Sequence, residues 1–245
     1  VKATPTEQKE LLRLQAIDTR VQQLTHLLAN LPEDKTLAAL ASKSEDVRRR
    51  LIGAVGELDD AKLELTRLES DVAVVEARIA RDNERVQHTA SVKDIQALES
   101  ELLALRKRQG DLEEIELNVM ERVEDKEAVV ADIESERAVL ADEASVTTQE
   151  RDRSKAAHEG TRAELARDRE AVSAGIPEDL RELYEKRRTL NGGVGAALMQ
   201  ARTCMGCNMS LTGSDLETVR TAPTDEVLFC PDCGRILVRT EESGI

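Results

Sequence analysis

From Leu14 onward an apolar residue recurs alternately every three and four positions, through Ile17, Val21, Leu24, Leu28 and Leu31, which places one apolar stripe along a helix. Residues 1–6 ahead of it read as a short frayed leader with Thr6 as N-cap. The frame breaks at Leu31-Pro32-Glu33-Asp34, because proline lacks a backbone donor and disfavours helix in the residue before it, so a kink or restart is expected there. Beyond Pro32 the pattern resumes out of phase and holds through Leu37, Leu40, Val47, Leu51, Leu58, Leu65, Leu68, Val72, Val75 and Ile79 to Val86, with only Ser44 and Asp82 polar. A strict seven-residue repeat predicts a left-handed coiled coil, and the stretch from Glu33 to Val86 would extend about 80 Å at 1.5 Å per residue.

The reversal falls near residues 87–91, where Ser91 and Asp94 make a capping pair for a second long helix. Its frame runs through Ile95, Leu98, Leu102, Leu105, Leu112, Val119, Val123, Val130, Ile133 and Leu140, with Gln109, Glu116, Lys126 and Arg137 as polar interruptions. A turn centred near Ala90 sets Lys126 opposite Val55 and Arg137 opposite Ser44, where polar groups weaken packing but help to fix register.

From Glu150 to Asp168 the stripe fades, and only Leu165 remains apolar on the frame. The facing stripe at Leu14, Ile17, Val21, Leu24 and Leu28 would then forgo roughly 1.5 to 3 kcal/mol for each large side chain left in water. Either a second chain covers it, or a third helix does. The residues after Gly175 supply one, with Pro177 at its first turn and Ile176, Leu180, Leu183, Tyr184 and Leu190 as its apolar stripe. A three-helix base is therefore expected, followed by Asn191-Gly-Gly-Val-Gly195 as a flexible joint.

After the joint, Val194–Thr203, Glu226–Phe229 and Arg235–Arg239 read as strands, and Ser214-Asp-Leu-Glu217 as a capping box opening a short helix. The chemistry of the chain lies here. Cys204-Met-Gly-Cys207 and Cys230-Pro-Asp-Cys233 hold all four cysteines, separated by twenty-two residues. Two such pairs place four thiolates at the corners of a tetrahedron, which suits one structural Zn2+ and leaves no open position for a catalytic water. Gly206 and Gly234 fit the sharp turn of each knuckle. The alternative, two disulfides, suits an oxidising compartment, whereas no signal peptide is evident here and a cytoplasmic location is expected. A core this small folds only around its metal, so the ribbon and the helices are expected to have separate cores.

Composition agrees with long helices that each bury one stripe: 34% of residues are charged and 1% aromatic, with Tyr184 and Phe229 the single tyrosine and phenylalanine. No apolar run is long enough to span a membrane. The net charge of −14 opposes broad adhesion to nucleic acid. His26, His88 and His158 stand far apart, and no phosphate loop or nucleophile signature occurs, so no catalytic residues are assigned.

The order Leu14-Gln-Ala-Ile-Asp18, Leu31-Pro-Glu33, Val92-Lys-Asp-Ile-Gln-Ala-Leu98, Leu183-Tyr-Glu-Lys, Gly192-Gly-Val-Gly195 and Cys230-Pro-Asp-Cys-Gly-Arg-Ile-Leu237 resembles bacterial zinc-ribbon proteins of the four-cysteine type with an N-terminal coiled-coil hairpin. The resemblance spans essentially the whole chain. It implies a mainly α architecture: a coiled-coil hairpin over 1–175, a neck helix and glycine-rich joint over 176–195, and a small β zinc ribbon over 196–245. It also implies an adaptor role in gene regulation, flagellar assembly or type III secretion, with protein partners such as an alternative sigma factor and, in some members, RNA; that no membrane is a partner is expected from composition and charge instead. Only Cys204, Cys207, Cys230 and Cys233 carry over residue by residue.

Two function classes follow. One is a non-enzymatic adaptor, monomeric or homodimeric, that binds protein through hairpin and ribbon. The other is a nucleic-acid binder acting through Arg187 and Arg188 of the neck and Arg202, Arg220, Arg235 and Arg239 of the ribbon. Residues 196–245 set seven acids against those four arginines, and four thiolates on Zn2+ add two negative charges, so the first reading ranks higher.

Overall fold

In the computed structural model, which describes residues 1–245, the helical frame breaks where proline requires it. Helix α1 (Pro5–Ala29) ends on Asn30, and α2 (Pro32–His88) begins at the proline itself. Thr89-Ala90-Ser91 reverse the chain into α3 (Val92–Ala174), where the Asp94 N–H donates to Ser91 Oγ at 3.4 Å. The fold is mainly α, a long helical hairpin followed by a small sheet, and it divides into two units: Lys35–Thr148, and Val1–Asp34 with Gln149–Ile245.

In the first of these units α2 and α3 run antiparallel, as the cross-helix pairs Arg50–Glu136 (2.8 Å), Lys62–Glu127 (2.7 Å), Arg122–Glu64 (3.0 Å) and Arg78–Glu101 require. Lys126 meets Glu57, close to the Val55 position set by the turn. Exposed pairs of this kind contribute roughly 0–1 kcal/mol each, so the seam rests on burial. Leu40, Val47, Leu58, Ala61, Val75, Leu98, Leu102, Val119, Val123 and Ile133 are buried, and the remaining apolar frame positions are half-buried. Ser44 and Arg137 stay exposed, while Asp82 is buried between Arg78 and Arg85.

The other unit contains the three-helix base. Helix α4 (Glu178–Leu190) starts from Pro177, which is its N-cap rather than its first helical residue. Leu11 and Leu14 of α1 pack with Ile176, Leu180 and Tyr184, and Val172 and Leu183 lie alongside. The stripe is covered less evenly than its spacing implied: Ile17, Val21 and Leu28 are half-buried, and Leu190 points into solvent. Gln8, Gln15 and Asp18 are buried in its place.

The polar members of this core are all partnered. Tyr184 Oη lies 2.8 Å from Asp18 Oδ2 and 3.1 Å from Gln15 Oε1, and its one proton goes to the shorter, charged acceptor. Arg169 donates to both Asp18 oxygens, at 2.6 and 3.2 Å, and also to Glu185. Burial and the Asp18 hydrogen bond push the Tyr184 hydroxyl well above its ordinary range. Gln15 Oε1 accepts the Gly195 N–H at 2.7 Å, and its amide donates to the Gly193 carbonyl at 3.0 Å. The glycine-rich segment is thus pinned to α1 rather than a free joint. Gly195 admits no side chain either, since a Cβ there would stand 2.7 Å from the Tyr184 carbonyl oxygen.

The sheet comprises β1 (Ala196–Gln200), β2 (Thr203–Cys204), β3 (Met209–Ser210), β4 (Leu228–Phe229) and β5 (Ile236–Val238), in the order β3-β2-β1-β5-β4. β1 and β5 pair in parallel, Ala196 opposite Ile236, and the other pairs are antiparallel. The expected strand Val194–Thr203 is therefore split by a tight turn at Ala201 (φ 44) and Arg202 (φ 63). Two side-chain-bearing residues hold the left-handed region there because their N–H groups donate to the Glu242 and Ser243 carbonyls of a short 3-10 helix, Glu241–Ser243, both at 2.9 Å. Helix α5 (Gly213–Thr221) begins before Ser214, from Thr212, so the expected capping box does not form. Arg239 instead satisfies the far end of α5, donating to the Val219 and Ala222 carbonyls at 3.1 and 2.8 Å.

Two further sequence expectations are overturned here. Residues 1–6 are not frayed: Lys2 bridges Glu226, the Ala3 N–H donates to the Asp225 carbonyl at 2.8 Å, Ala3 is buried, and Thr4 rather than Thr6 caps α1 in a capping box with Glu7. Nor are the cores separate. Ala196, Val227, Ile236 and Val238 of the sheet region share one cluster with the base helices, while Ala197, Met199, Leu211, Val219, Leu228 and Leu237 gather around the cysteines in another.

Tyr184→Phe should lower stability by about 1–3 kcal/mol, read from the denaturant midpoint, because Asp18 stays buried with one donor fewer. A hydroxyl whose folded pKa is raised stabilises fully below its unfolded value, near 10, and less as pH climbs beyond it. The wild type should lose stability above about pH 10 more steeply than Tyr184→Phe does.

Candidate metal centre

Strand pairing delivers the first knuckle. Met199 faces Cys204 across the β1–β2 hairpin, and the Met205 N–H closes on the Leu198 carbonyl at 2.9 Å. The second knuckle closes between β4 and β5, where the Cys230 N–H donates to the Arg235 carbonyl at 2.9 Å. The four Sγ atoms of Cys204, Cys207, Cys230 and Cys233 lie within 4.8 Å of one another. Cys207 Sγ and Cys230 Sγ are 3.7 Å apart, far beyond the roughly 2.05 Å of a disulfide. Tetrahedral Zn–S bonds of about 2.3 Å set their sulfurs roughly 3.8 Å apart, so the donor set fits the ion.

Each knuckle is the same turn. The residue after the second cysteine reaches back to the carbonyl of the first: Asn208 to Cys204 and Gly234 to Cys230, both at 2.8 Å. Both sit in the left-handed region, Asn208 at φ 58 and Gly234 at φ 69. The turn position in the first knuckle thus belongs to Asn208, a residue type that tolerates this conformation. Gly206 is glycine for another reason: a Cβ there would stand 2.8 Å from Arg235 Cδ and 2.9 Å from Ala197 Cβ.

Electrostatics divides the cysteines. Burial pushes the Cys204 thiol up, and the Cys230 thiol up to about 12, against the pull of the Asp232 and Cys233 N–H groups. Burial also acts on Cys233, but the backbone N–H and guanidinium of Arg235 and the neighbouring thiols outweigh it and bring that thiol down to about 7. Backbone N–H groups aimed at sulfur favour thiolate, the form that ligates a metal.

The six arginines singled out from the sequence have different surroundings. Arg188 is bound to Glu185 and Asp18, Arg202 to the Gly244 carbonyl, and Arg239 to the end of α5. Arg220 is exposed on α5. Arg187 lies over the Phe229 ring, 4.4 Å from its centre, and Arg235 donates to the Asn191 carbonyl at 3.3 Å. The Gln15–Asp18–Tyr184 cluster escaped the sequence reading, because Gln15 and Asp18 sit between the leucines of the stripe and look like ordinary helix-surface residues.

A model of the CT398-like coiled-coil hairpin domain matches residues 14–192. The chain belongs to the CT398-like hairpin family. A C4-type zinc ribbon model matches residues 203–237, which, with the sulfur geometry, supports one structural zinc ion. An uncharacterized Mycobacterium tuberculosis protein, Rv2229c, is 29% identical over 98% of both chains. A solved structure from Mycobacterium smegmatis is 32% identical with a TM-score of 0.84, covering 98% of this chain and all of that one. CT398 from Chlamydia trachomatis (19% identity, TM-score 0.62, covering 96% and 98% of the two chains) and HP0958 from Helicobacter pylori (18%, 0.51, 97% and 98%) share the fold. The hairpin and ribbon of this family support a non-enzymatic binding role, and no helix of the chain is long and apolar enough to cross a membrane.

Metal analysis should find one zinc per chain. Gly234→Ala should cost about 1–2 kcal/mol at the left-handed turn, weakening the hold on zinc about tenfold in a chelator titration. Asn208→Gly should leave it unchanged within error.

Proposed function

We propose that this CT398-like protein is a cytoplasmic adaptor that grips a protein partner along the outer face of its hairpin, with the zinc ribbon as a second contact. Cys204, Cys207, Cys230 and Cys233 hold the ion, and a site closed by four thiolates shapes the ribbon without acting on substrate. The observation that carries the reading is a line of large apolar side chains pointing outward. Ile52, Leu63 and Val74 recur at eleven-residue intervals, three helical turns apart, at exposures of 60%, 53% and 65%. They lie off the seam that α2 shares with α3, so helix pairing does not explain them.

Direct binding of RNA or DNA ranks second. The internal commitments of Arg188, Arg202 and Arg239 support that order, as does the charge of −14. Among the candidate contacts, Arg220 keeps the freest side chain.

The test is retention from nuclease-treated native lysate by the intact chain, by Leu63→Glu/Val74→Glu and by Cys230→Ser. A protein held by the intact chain and lost with the double variant, little affected by moderate salt, is the expected result. Retention only before nuclease treatment, falling steeply with salt and weakened by Arg220→Ala, would reverse the order of the two readings.

A further inference from the structure

The junction between α4 and the ribbon holds two guanidinium groups with an unusual deficit. The Nε–H groups of Arg187 and Arg235 are both buried, and neither has an acceptor. A buried donor left unpaired costs roughly 1–3 kcal/mol, more for a charged group, so two of them at one junction need a reason.

Both lie against the cysteine knuckles. Arg235 follows Gly234 directly after Cys233, and its stem fills the space kept open by Gly206 between Cys204 and Cys207. Its other end is tied to the Asn191 carbonyl, at the C-cap of α4. Arg187, in the last turn of α4, stacks over Phe229, the neighbour of Cys230, and its Nη1 would stand 3.4 Å from a Cβ on Gly234. One arginine thus reaches from ribbon to neck, and the other from neck to ribbon.

Zinc bound to four thiolates carries two net negative charges, and second-shell donors commonly steady such ligands. We propose that Arg187 and Arg235 are the paired counter-cations of the zinc–thiolate centre, so that the ion fastens the end of α4 to the ribbon as well as folding the ribbon itself. This rests on the four cysteines being the ligands. The charge match is two against two, and the attraction is strengthened by partial burial. With the metal removed neither cation has compensation for its buried, unpartnered Nε–H, and the junction should loosen.

The test uses the full-length zinc-loaded chain. Arg187→Met/Arg235→Met should release zinc to a chromogenic chelator at least tenfold faster than wild type, Arg187→Lys/Arg235→Lys should recover part of the difference, and Arg220→Met should match wild type. In the cobalt-substituted proteins the sulfur-to-metal charge-transfer band should shift to lower energy in the Met variant, since thiolates stripped of their cations give up electrons more easily; a packing defect alone would not move it. In wild type, chelation should raise amide exchange across Arg187–Gly195. Unchanged release and an unmoved band in the Met variant would overturn the proposal, as would exchange at Arg187–Gly195 that ignores the metal. Absence of zinc from the wild type would instead overturn the ligand assignment on which it rests.

Discussion

One buried hydrogen-bond cluster sets the geometry of the base. Gln15 holds the glycine-rich segment by its backbone, Asp18 takes the Tyr184 hydroxyl and the Arg169 guanidinium, and through them α1, α3, α4 and the start of β1 are fixed to one another. Apolar packing of Leu11, Leu14 and Leu180 supplies the driving force but tolerates sliding, as oily contacts do. Polar groups do not tolerate it, because displacing any one strands its partners in a low-dielectric interior. The cluster therefore specifies which of several packings the stripe adopts, and the ribbon inherits its position from that choice.

The same division explains how legible the chain was. A heptad frame is a one-dimensional code: each apolar residue on the frame in residues 37–144 is buried or half-buried, and the turn at Ser91 and the restart at Pro32 follow from local chemistry. The four cysteines were equally plain, because metal geometry restricts their spacing. What escaped were partners distant in sequence. Nothing near Lys2 or Ala3 announces Asp225 and Glu226, and Ser214 could not show that the chain would already be helical at Gly213. Gly206 looks like a turn glycine by its proximity to the cysteines, whereas its need is set by Ala197 of β1 and by Arg235 just ahead of β5.

The two knuckles show that a local rule can be met by different residue types. Gly234 and Asn208 hold the same left-handed position after their cysteine pairs, and both return an N–H to the first cysteine's carbonyl. Ala201 and Arg202 hold that region too, with less intrinsic tolerance, and are kept there by the carbonyls of the 3-10 helix. Backbone strain in the ribbon is thus met either by residue choice or by a docking segment from elsewhere in the chain.

The pinning of Gly195 by Gln15 also bears on the order in which the molecule assembles. Contacts along α2 and α3 are nested about the turn at Thr89-Ala90-Ser91, so each pair formed shortens the loop that the next must close, and the hairpin can zip outward from its tip at small entropic cost. The Gln15–Gly195 bond spans 180 positions and has no such shortcut until the zipper arrives. The contact of α1 with the glycine-rich segment should therefore form late, after α2 and α3 have paired.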